Sequence, residues 1–414
     1  MLNTAFSPWP SFSTEEAEAV QRVLLGNRVN YWTGKECREF EKEFAVWAGV
    51  RHAVALANGT LALDVALKAL GIGPGDEVVV SPRTFIASVS CVVNAGATLV
   101  FADVDCDSGN INAETIATVL TPRTKAVICV HLAGWPCDMD PIMALAAQHG
   151  LKVIEDCAQA HGARYKGRSV GSIGHVGAWS FCQDKIMTTG GEGGIVTCND
   201  ESLWRAMWAY KDHGKSYSAV YEREHPPGFR WLHESFGTNW RMLEMQAAIG
   251  RIQLRRMRDW TAARTANAKA ILQALLPFAG EGGVVRVPEL RCAGCPLQRG
   301  EGAVATPDCS CKHAYYKYYA YIRPENLAPG WGRDRILEEI NARGVPCYVG
   351  SCSEVYLEKA FDNTGWRPKE RLPVAKALGE TSLMFLVHPT LTQAEIRKTQ
   401  EVLAEVLEAA SFSP

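Results

Sequence analysis

The sequence has no surplus of charge of either sign: 43 basic residues stand against 45 acidic ones, for a net charge of −2. Without a basic excess it has no electrostatic footprint for nucleic acid or an anionic membrane surface. It has no apolar run long enough to span a bilayer. Its first residues, MLNTAFSPWPSFSTEE, lack both a basic start and an apolar core, so they read as neither signal nor transit peptide. A cytoplasmic location is therefore expected. No internal repeat is visible, which excludes a repeat array. What the chain does have is length and apolar content. Its 414 residues are 47% hydrophobic, enough for one large domain and a smaller one. Fourteen cysteines are many. Most, such as Cys91, Cys129, Cys157 and Cys198, sit singly in apolar segments and read as small buried hydrophobes kept reduced.

The first two thirds alternate short apolar runs with helical patterns. Strands are predicted at 53–59, 77–82, 97–105, 125–134, 151–156, 176–181 and 193–198. Several are continuously apolar, as strands covered on both faces should be. TLALDVALKAL (60–70) is a helix ending at Gly71, and Asp140–Pro141 opens another that stops at Gly150. Ser13 and Glu16 have capping-box spacing ahead of an amphipathic run to Leu25. This alternation predicts a mainly parallel α/β sheet flanked by helices. A long helix follows from about Met242 to Leu276. A smaller α+β region comes next, with HAYYKYYAYI (313–322) as a strand and helices at 334–344 and 392–410. The expected division is a large domain over 1–260 and a smaller one over 261–414, with joining of the N-terminal segment to the smaller domain as the alternative. A Gly/Cys-rich insertion occupies 280–312.

In an open α/β sheet ligands bind beyond the carboxyl ends of the strands. The residues just past the predicted strands form a set. Asn58-Gly59-Thr60 opens a helix, Thr84-Phe85 follows the second strand, and Asp156 ends LKVIED with Gln159 and His161 close behind. Ser180 ends VGAWSF and Lys185 lies on the next loop. Each suits a piece of pyridoxal phosphate. A glycine at a helix start offers free amides to a phosphate, and Thr60 and Ser180 add hydroxyls. Phe85 could lie against the pyridine ring, Asp156 could keep its nitrogen protonated, Gln159 could touch the phenolic oxygen and Lys185 could be the covalent anchor. Singly these are ordinary features; their co-occurrence at successive strand ends carries the reading.

The segments FEKEFAVWAGVRHAVALANGTLAL, GIGPGDEVVVSPRTFIAS, VHLAGWPCDMDPI, VIEDCAQAHGARYKG, SFCQDKIMTTGGEGG and GTNWRMLEMQAAIGRIQL resemble the sugar aminotransferases of the DegT/StrS family, fold type I enzymes dependent on pyridoxal phosphate. The resemblance runs from about Trp32 to the last helix. It implies that Lys185 carries the cofactor, Asp156 pairs with the pyridine nitrogen, and Gln159 lies against the ring. It also implies that Gly59, Thr60 and Ser180 hold the phosphate, with Asn239 reaching it from the neighbouring subunit of a homodimer. The implied reaction takes an amino group from L-glutamate to a nucleotide-linked keto-deoxysugar, for a surface polysaccharide or a glycosylated metabolite. A sister branch with histidine at the lysine position removes a hydroxyl; Lys185 sets this chain apart from it. GTNWRMLEMQAAIG looks closer to the signature associated with sugar carbon 4 than with carbon 3. Two other uses of the same fold remain: amination of a cyclitol ketone, and a sensor or regulator that binds the cofactor.

Three candidates have rival readings. Arg241 could meet a substrate carboxylate or phosphate, or form an ion pair at the start of the long helix. His313 and Tyr315 match an element that contacts sugar or nucleotide in relatives, and also suit an aromatic strand. Cys292, Cys295, Cys309 and Cys311 approach the spacing of a structural zinc site, the alternative being four thiols on a surface loop. The phosphate turn reads NGT where SGT is commoner. The lysine loop reads TTGGEGG, one glycine longer than usual, which puts Glu192 seven residues after Lys185.

Overall fold

Seven strands form the central sheet of the structure, a computed structural model that describes residues 5–288 and 310–411. In chain order they are β1 (His52–Leu56), β2 (Glu77–Val80), β3 (Thr98–Phe101), β4 (Thr124–Val130) and β5 (Lys152–Asp156). A short hairpin follows, β6 (Arg164–Tyr165) with β7 (Arg168–Ser169), and then β8 (Val176–Ser180) and β9 (Gly194–Cys198). Their spatial order is β1-β9-β8-β5-β4-β2-β3. Neighbours from β8 to β3 pair in parallel, and β9 runs antiparallel to both β8 and β1. The helices are α1 (Thr14–Leu25), α2 (Glu36–Ala48), α3 (Gly59–Ala69), α4 (Ala87–Asn94), α5 (Ala113–Ala117), α6 (Met139–His149), α7 (Glu201–Tyr210), α8 (Tyr217–Tyr221), α9 (Glu244–Leu275), α10 (Arg333–Ala342), α11 (Pro373–Thr381) and α12 (Gln393–Ala410). Among the described residues no helix is long and apolar enough to cross a membrane.

The apolar strands are covered on both faces, and their side chains alternate accordingly. Val54, Leu56, Val78 and Val80 pack with α3 and α4 on one face. Ala53 and Ala55 pack with α2 on the other, and Val79, Val127 and Val153 pack there with α6. Helix starts follow local chemistry. The Asn58 side chain accepts the Leu61 amide at 3.0 Å and caps α3. Glu16 accepts the Ser13 amide at 2.7 Å and also holds Gln253 Nε2 and Arg256 Nη1, which fastens α1 to α9. α6 begins at Met139, two residues before the expected first helical residue Pro141, and Asp140 lies in its first turn, paired with Lys166 and Arg168 of the β6–β7 hairpin rather than capping.

A second, antiparallel sheet comprises β10 (Val285–Arg286), β11 (Tyr318–Ile322), β13 (Ser382–Phe385) and β12 (Cys347–Tyr348), in that spatial order. α9 serves both cores. Ala247, Leu254 and Met257 pack with the central sheet, whereas Ala268, Ile271, Leu272 and Leu275 pack with the second sheet and α12. Phe6 joins the second core and Thr390 Oγ1 donates to Pro8 O at 2.8 Å, so the N-terminal segment leaves the second unit just before α1.

HAYYKYYAYI is not one strand, as the sequence suggested. Only Tyr318–Ile322 pairs as a strand. Upstream, the Ala314 and Tyr316 amides donate to Gly134 O and Ala133 O at 2.8 and 2.9 Å, and Tyr315 takes φ 50° to reach them. The predicted strand 97–105 likewise ends at Phe101, and the Asp103 carboxylate accepts the Val374 and Ala375 amides at the start of α11.

Candidate functional site

The carboxyl ends of β1, β2, β4, β5 and β8 open into one cavity of about 1090 Å³. Gly59 starts α3 against the end of β8; a Cβ there would lie 2.5 Å from Ser180 Cβ, so only glycine lets the helix start come this close. Free amides at the start of α3, the Thr60 hydroxyl and the Ser180 hydroxyl thus share one corner of the cavity. Phe85 lines the same cavity and is 67% exposed, a ring with an uncovered face.

Asp156, the last residue of β5, is held from two sides. Ser88 Oγ donates to its Oδ2 at 2.7 Å and the Ala158 amide to its Oδ1 at 3.1 Å. Thr84 Oγ1 lies 2.7 Å from Ser88 Oγ and extends the chain of hydroxyls. Gln159 Oε1 accepts the Ala133 amide at 2.7 Å, which leaves its NH2 group as the donor a cavity occupant can use. Lys185 Nζ lies 3.8 Å from Asp184 Oδ1 and 5.3 Å from the centre of the Tyr316 ring, its side chain 15% exposed. The Lys185 carbonyl accepts Trp9 Nε1 at 2.8 Å, so the N-terminal segment braces the lysine loop. In that loop Gly190 and Gly191 have φ 88° and 119°, backbone that glycine adopts readily. The turn they make leaves Glu192 lining the cavity.

The surroundings of Lys185 are electrostatically uneven. The Tyr316 hydroxyl donates to Asp184, and burial, then Asp184, push that phenol up. Burial, opposed by Asp184 and aided by Arg264 and Lys185, pushes Lys317 down to about 8. Burial, then Lys185 and Arg264, push His161 down to about 3, a neutral ring packed against Trp179 and Phe181.

The structure thus brings together Gly59, Thr60, Phe85, Asp156, Gln159, Ser180 and Lys185. It places four other candidates elsewhere. Asn239 is exposed outside the cavity, paired through its backbone with Asp212. Arg241 Nη1 donates to buried Asp212 at 2.5 Å, the ion-pair reading of that residue, and does not line the cavity. His313 and Tyr315 stack on each other at 4.1 Å and turn toward Trp135, into a separate small recess between the two sheets. Their neighbours Tyr316 and Lys317 line the main cavity instead. Of the four candidate zinc ligands, Cys292, Cys295 and Cys309 lie outside the described residues. Cys311 is buried with Tyr165 and Val153 and accepts the Lys166 amide at 3.2 Å. Among the described residues, only His131, Glu155 and Cys157 cluster as metal ligands would. There the Glu155 carboxylate already accepts His131 Nε2 and the amides of Gly171, Ile173 and Gly174.

Sequence reasoning missed Ser88, Asp184, Tyr316 and Lys317. Ser88 had a signal: it stands four residues after Thr84 at the start of a helix. Tyr316 and Lys317 had none, because their direction depends on the turn at Tyr315.

The residues present fit pyridoxal phosphate: a glycine-built amide corner, an oriented carboxylate, a free amide donor and an amine share one cavity. The profile of the DegT/DnrJ/EryC1/StrS aminotransferase family matches residues 10–404. GDP-perosamine synthase of Caulobacter vibrioides is 36% identical over 381 residues, 90% of this chain and 91% of that protein. The dTDP-3-amino-3,4,6-trideoxy-alpha-D-glucose transaminase of Streptomyces venezuelae is 40% identical over 391 residues, 94% and 92% of the two chains. Among solved structures, an aminotransferase from Psychrobacter cryohalolentis superposes with a TM-score of 0.93 at 67% identity, covering 98% of this chain and 99% of that one.

Proposed function

The chain belongs to the DegT/DnrJ/EryC1/StrS aminotransferase family, and from that premise we propose that it moves the amino group of L-glutamate to a keto group on a nucleotide-linked deoxysugar. The amine goes to carbon 4 in preference to carbon 3, and the working unit is a homodimer. The observation that carries this reading is the pairing, in one cavity, of the Lys185 amine with the Asp156 carboxylate oriented by Ser88. Pyridoxal phosphate, when bound, supplies the electron sink that makes the α-proton of an amino acid removable. Asp156 would hold its ring nitrogen, Gln159 would serve its phenolic oxygen, and the Gly59–Thr60 corner with Ser180 would hold its phosphate. Lys185 Nζ would be its covalent anchor and would move the donor's α-proton. Asp184 and the Tyr316 ring keep that amine in place.

The sugar reading is supported by relatives whose names are those of nucleotide-sugar aminotransferases. The carbon 4 preference is supported by the form of GTNWRMLEMQAAIG. The dimer is supported by the segment before it, where Phe229, Trp231 and Phe236 are 76%, 80% and 99% exposed, a patch that suits a partner surface.

The test is incubation of purified protein with L-glutamate and a nucleotide-linked keto sugar, following 2-oxoglutarate release and locating the new amine by NMR. Release that depends on Lys185 and an amine at carbon 4 are the expected results. An amine at carbon 3 sinks the regiochemistry. Release with a cyclitol ketone alone replaces the acceptor, and no release from glutamate leaves a cofactor-binding sensor.

A further inference from the structure

The cavity contains a second amine that the proposed reaction does not use. Among the described residues two cationic side chains line it, Lys185 and Lys317, against Asp156, Asp184, Glu192 and Glu358. Lys185 is committed to the cofactor. Asp156 is occupied by Ser88 and Ala158, and Asp184 accepts the Tyr316 hydroxyl beside Lys185. Lys317 makes no ion pair or hydrogen bond among the described residues; its Nζ lies 4.9 Å from the centre of the Tyr316 ring. The same ring thus carries the Lys185 amine at 5.3 Å and the Lys317 amine at 4.9 Å.

We propose that Lys317 recognises a carboxylate on the molecule that enters the cavity and so helps to set substrate choice; this rests on the aminotransferase reading above. Half-buried lysine is costly without a counter-ion, and an aromatic face offsets only part of that cost. Burial, together with Arg264 and Lys185, already lowers the pKa of Lys317 to about 8, the direction an incoming anion reverses. The guanidinium that the sequence offered for this task, Arg241, is committed to Asp212 away from the cavity. A phosphate is better served at the opposite kind of site, the helix start at Gly59. A carboxylate is left as the chemistry that Lys317 matches. It has two sources, the amino donor and an acidic sugar acceptor.

The test uses the cofactor-loaded enzyme and calorimetric binding of three probes: succinate for the donor, UDP-glucuronate for an acidic acceptor, and UDP-glucose as its uncharged counterpart. The parent, Lys317→Met and Lys317→Arg are compared. The expected result is a loss of about tenfold in affinity for a carboxylate probe in the methionine variant, with UDP-glucose unchanged and the arginine variant close to the parent. Loss for succinate assigns the site to the donor, and loss for UDP-glucuronate alone assigns it to the acceptor. Unchanged binding of both carboxylates in the methionine variant overturns the proposal. Bleaching of the cofactor absorbance by L-glutamate in the parent is read separately. If the parent does not bleach while the carboxylate effect persists, the aminotransferase reading fails and the anion site stands.

Discussion

The Ser88 hydroxyl stands between Thr84 Oγ1 and Asp156 Oδ2, 2.7 Å from each. With the Ala158 amide it orients the carboxylate proposed to meet the ring nitrogen. A hydrogen bond to a charged group contributes about 1.5–3 kcal/mol. Ser88→Ala should weaken cofactor retention by about 10- to 100-fold while leaving the fold intact, since no apolar contact is lost. Dissociation constants from cofactor fluorescence, with circular dichroism as the fold control, check this; equal constants would show that Asp156 is oriented by the Ala158 amide alone. Gly59 makes a second argument of the same kind. Its absent Cβ is the space Ser180 occupies. Gly59→Ala forces the start of α3 off β8, at an overpacking cost of about 1–3 kcal/mol. A lower Tm is expected, with weaker competition by inorganic phosphate for the cofactor site. A variant with parental Tm and phosphate affinity would place the helix start elsewhere. Residues at strand ends were legible in the sequence because chain order places them there whatever their side chains do. For Arg241 the ion pair was legible as one of two readings, but its partner Asp212, twenty-nine residues away, was not.

At the scale of elements, the segment from His313 to Lys317 decides which side chains see the cavity. HAYYKYYAYI reads as a strand, and the family resemblance offers His313 and Tyr315 as contacts to sugar or nucleotide, against the reading of an ordinary aromatic strand. The backbone instead hooks onto Ala133 and Gly134, and the turn at Tyr315 hands the cavity to Tyr316 and Lys317. Period-2 patterning cannot reveal such a hook, because the partner strand end lies about 180 residues upstream and supplies backbone atoms only. Gly134 makes the hook close. It has φ 92°, and a Cβ there would sit 2.8 Å from Ala314 Cβ and 3.1 Å from the Tyr315 amide. Gly134→Ala should therefore lower Tm by an amount corresponding to about 1–3 kcal/mol and cut turnover more than a surface change would. Parental turnover in a folded variant would show that Tyr316 and Lys317 are not positioned by this contact. The turn at Gly171–Gly174 depends in the same way on Glu155, at the end of β5. Burial pushes this carboxyl up, but His131 and the amides of Gly174 and Gly171 outweigh it and leave it below its usual 4.5. A carboxylate held lower in the fold than in the unfolded chain adds stability above the unfolded value. That stability is lost as pH falls through the folded value. The parent should lose stability in acid below about 4.5, the unfolded value. Glu155→Gln should flatten that limb and cost about 1–3 kcal/mol near neutrality, because an amide has one accepting oxygen for the partners that the two carboxylate oxygens hold, His131 Nε2 and the Gly171, Ile173 and Gly174 amides. Denaturation at several pH values reads both effects, and an unchanged acid slope removes Glu155 from the account.

For the whole molecule, the long helix α9 is the element that ties site to architecture. Its first half packs under the central sheet, its second half in the smaller core, and Arg264 between them lies 5.0 Å from the Trp9 ring that braces Lys185. In the segment leading into α9, Phe229, Trp231, Phe236 and Asn239 are exposed, and Asn239 does not line its own chain's cavity. The phosphate contact that the family resemblance implies for Asn239 would therefore fall on a neighbouring copy, and in the proposed two-fold dimer the exchange would be mutual. Complementation between inactive subunits tests this directly. Lys185→Ala keeps Asn239 and lacks the amine; Asn239→Ala keeps the amine and lacks the asparagine. In a mixed dimer with exchange, one site regains both groups and the other lacks both. Random mixing makes half of the dimers mixed, so about one quarter of parental sites should recover. If Asn239 serves its own chain, each site of the mixed dimer lacks one group and no activity returns. Recovery should also depend on subunit exchange: dilution and reassociation before assay should raise it from near zero to that plateau. Cross-linking the two homodimers before mixing should abolish it.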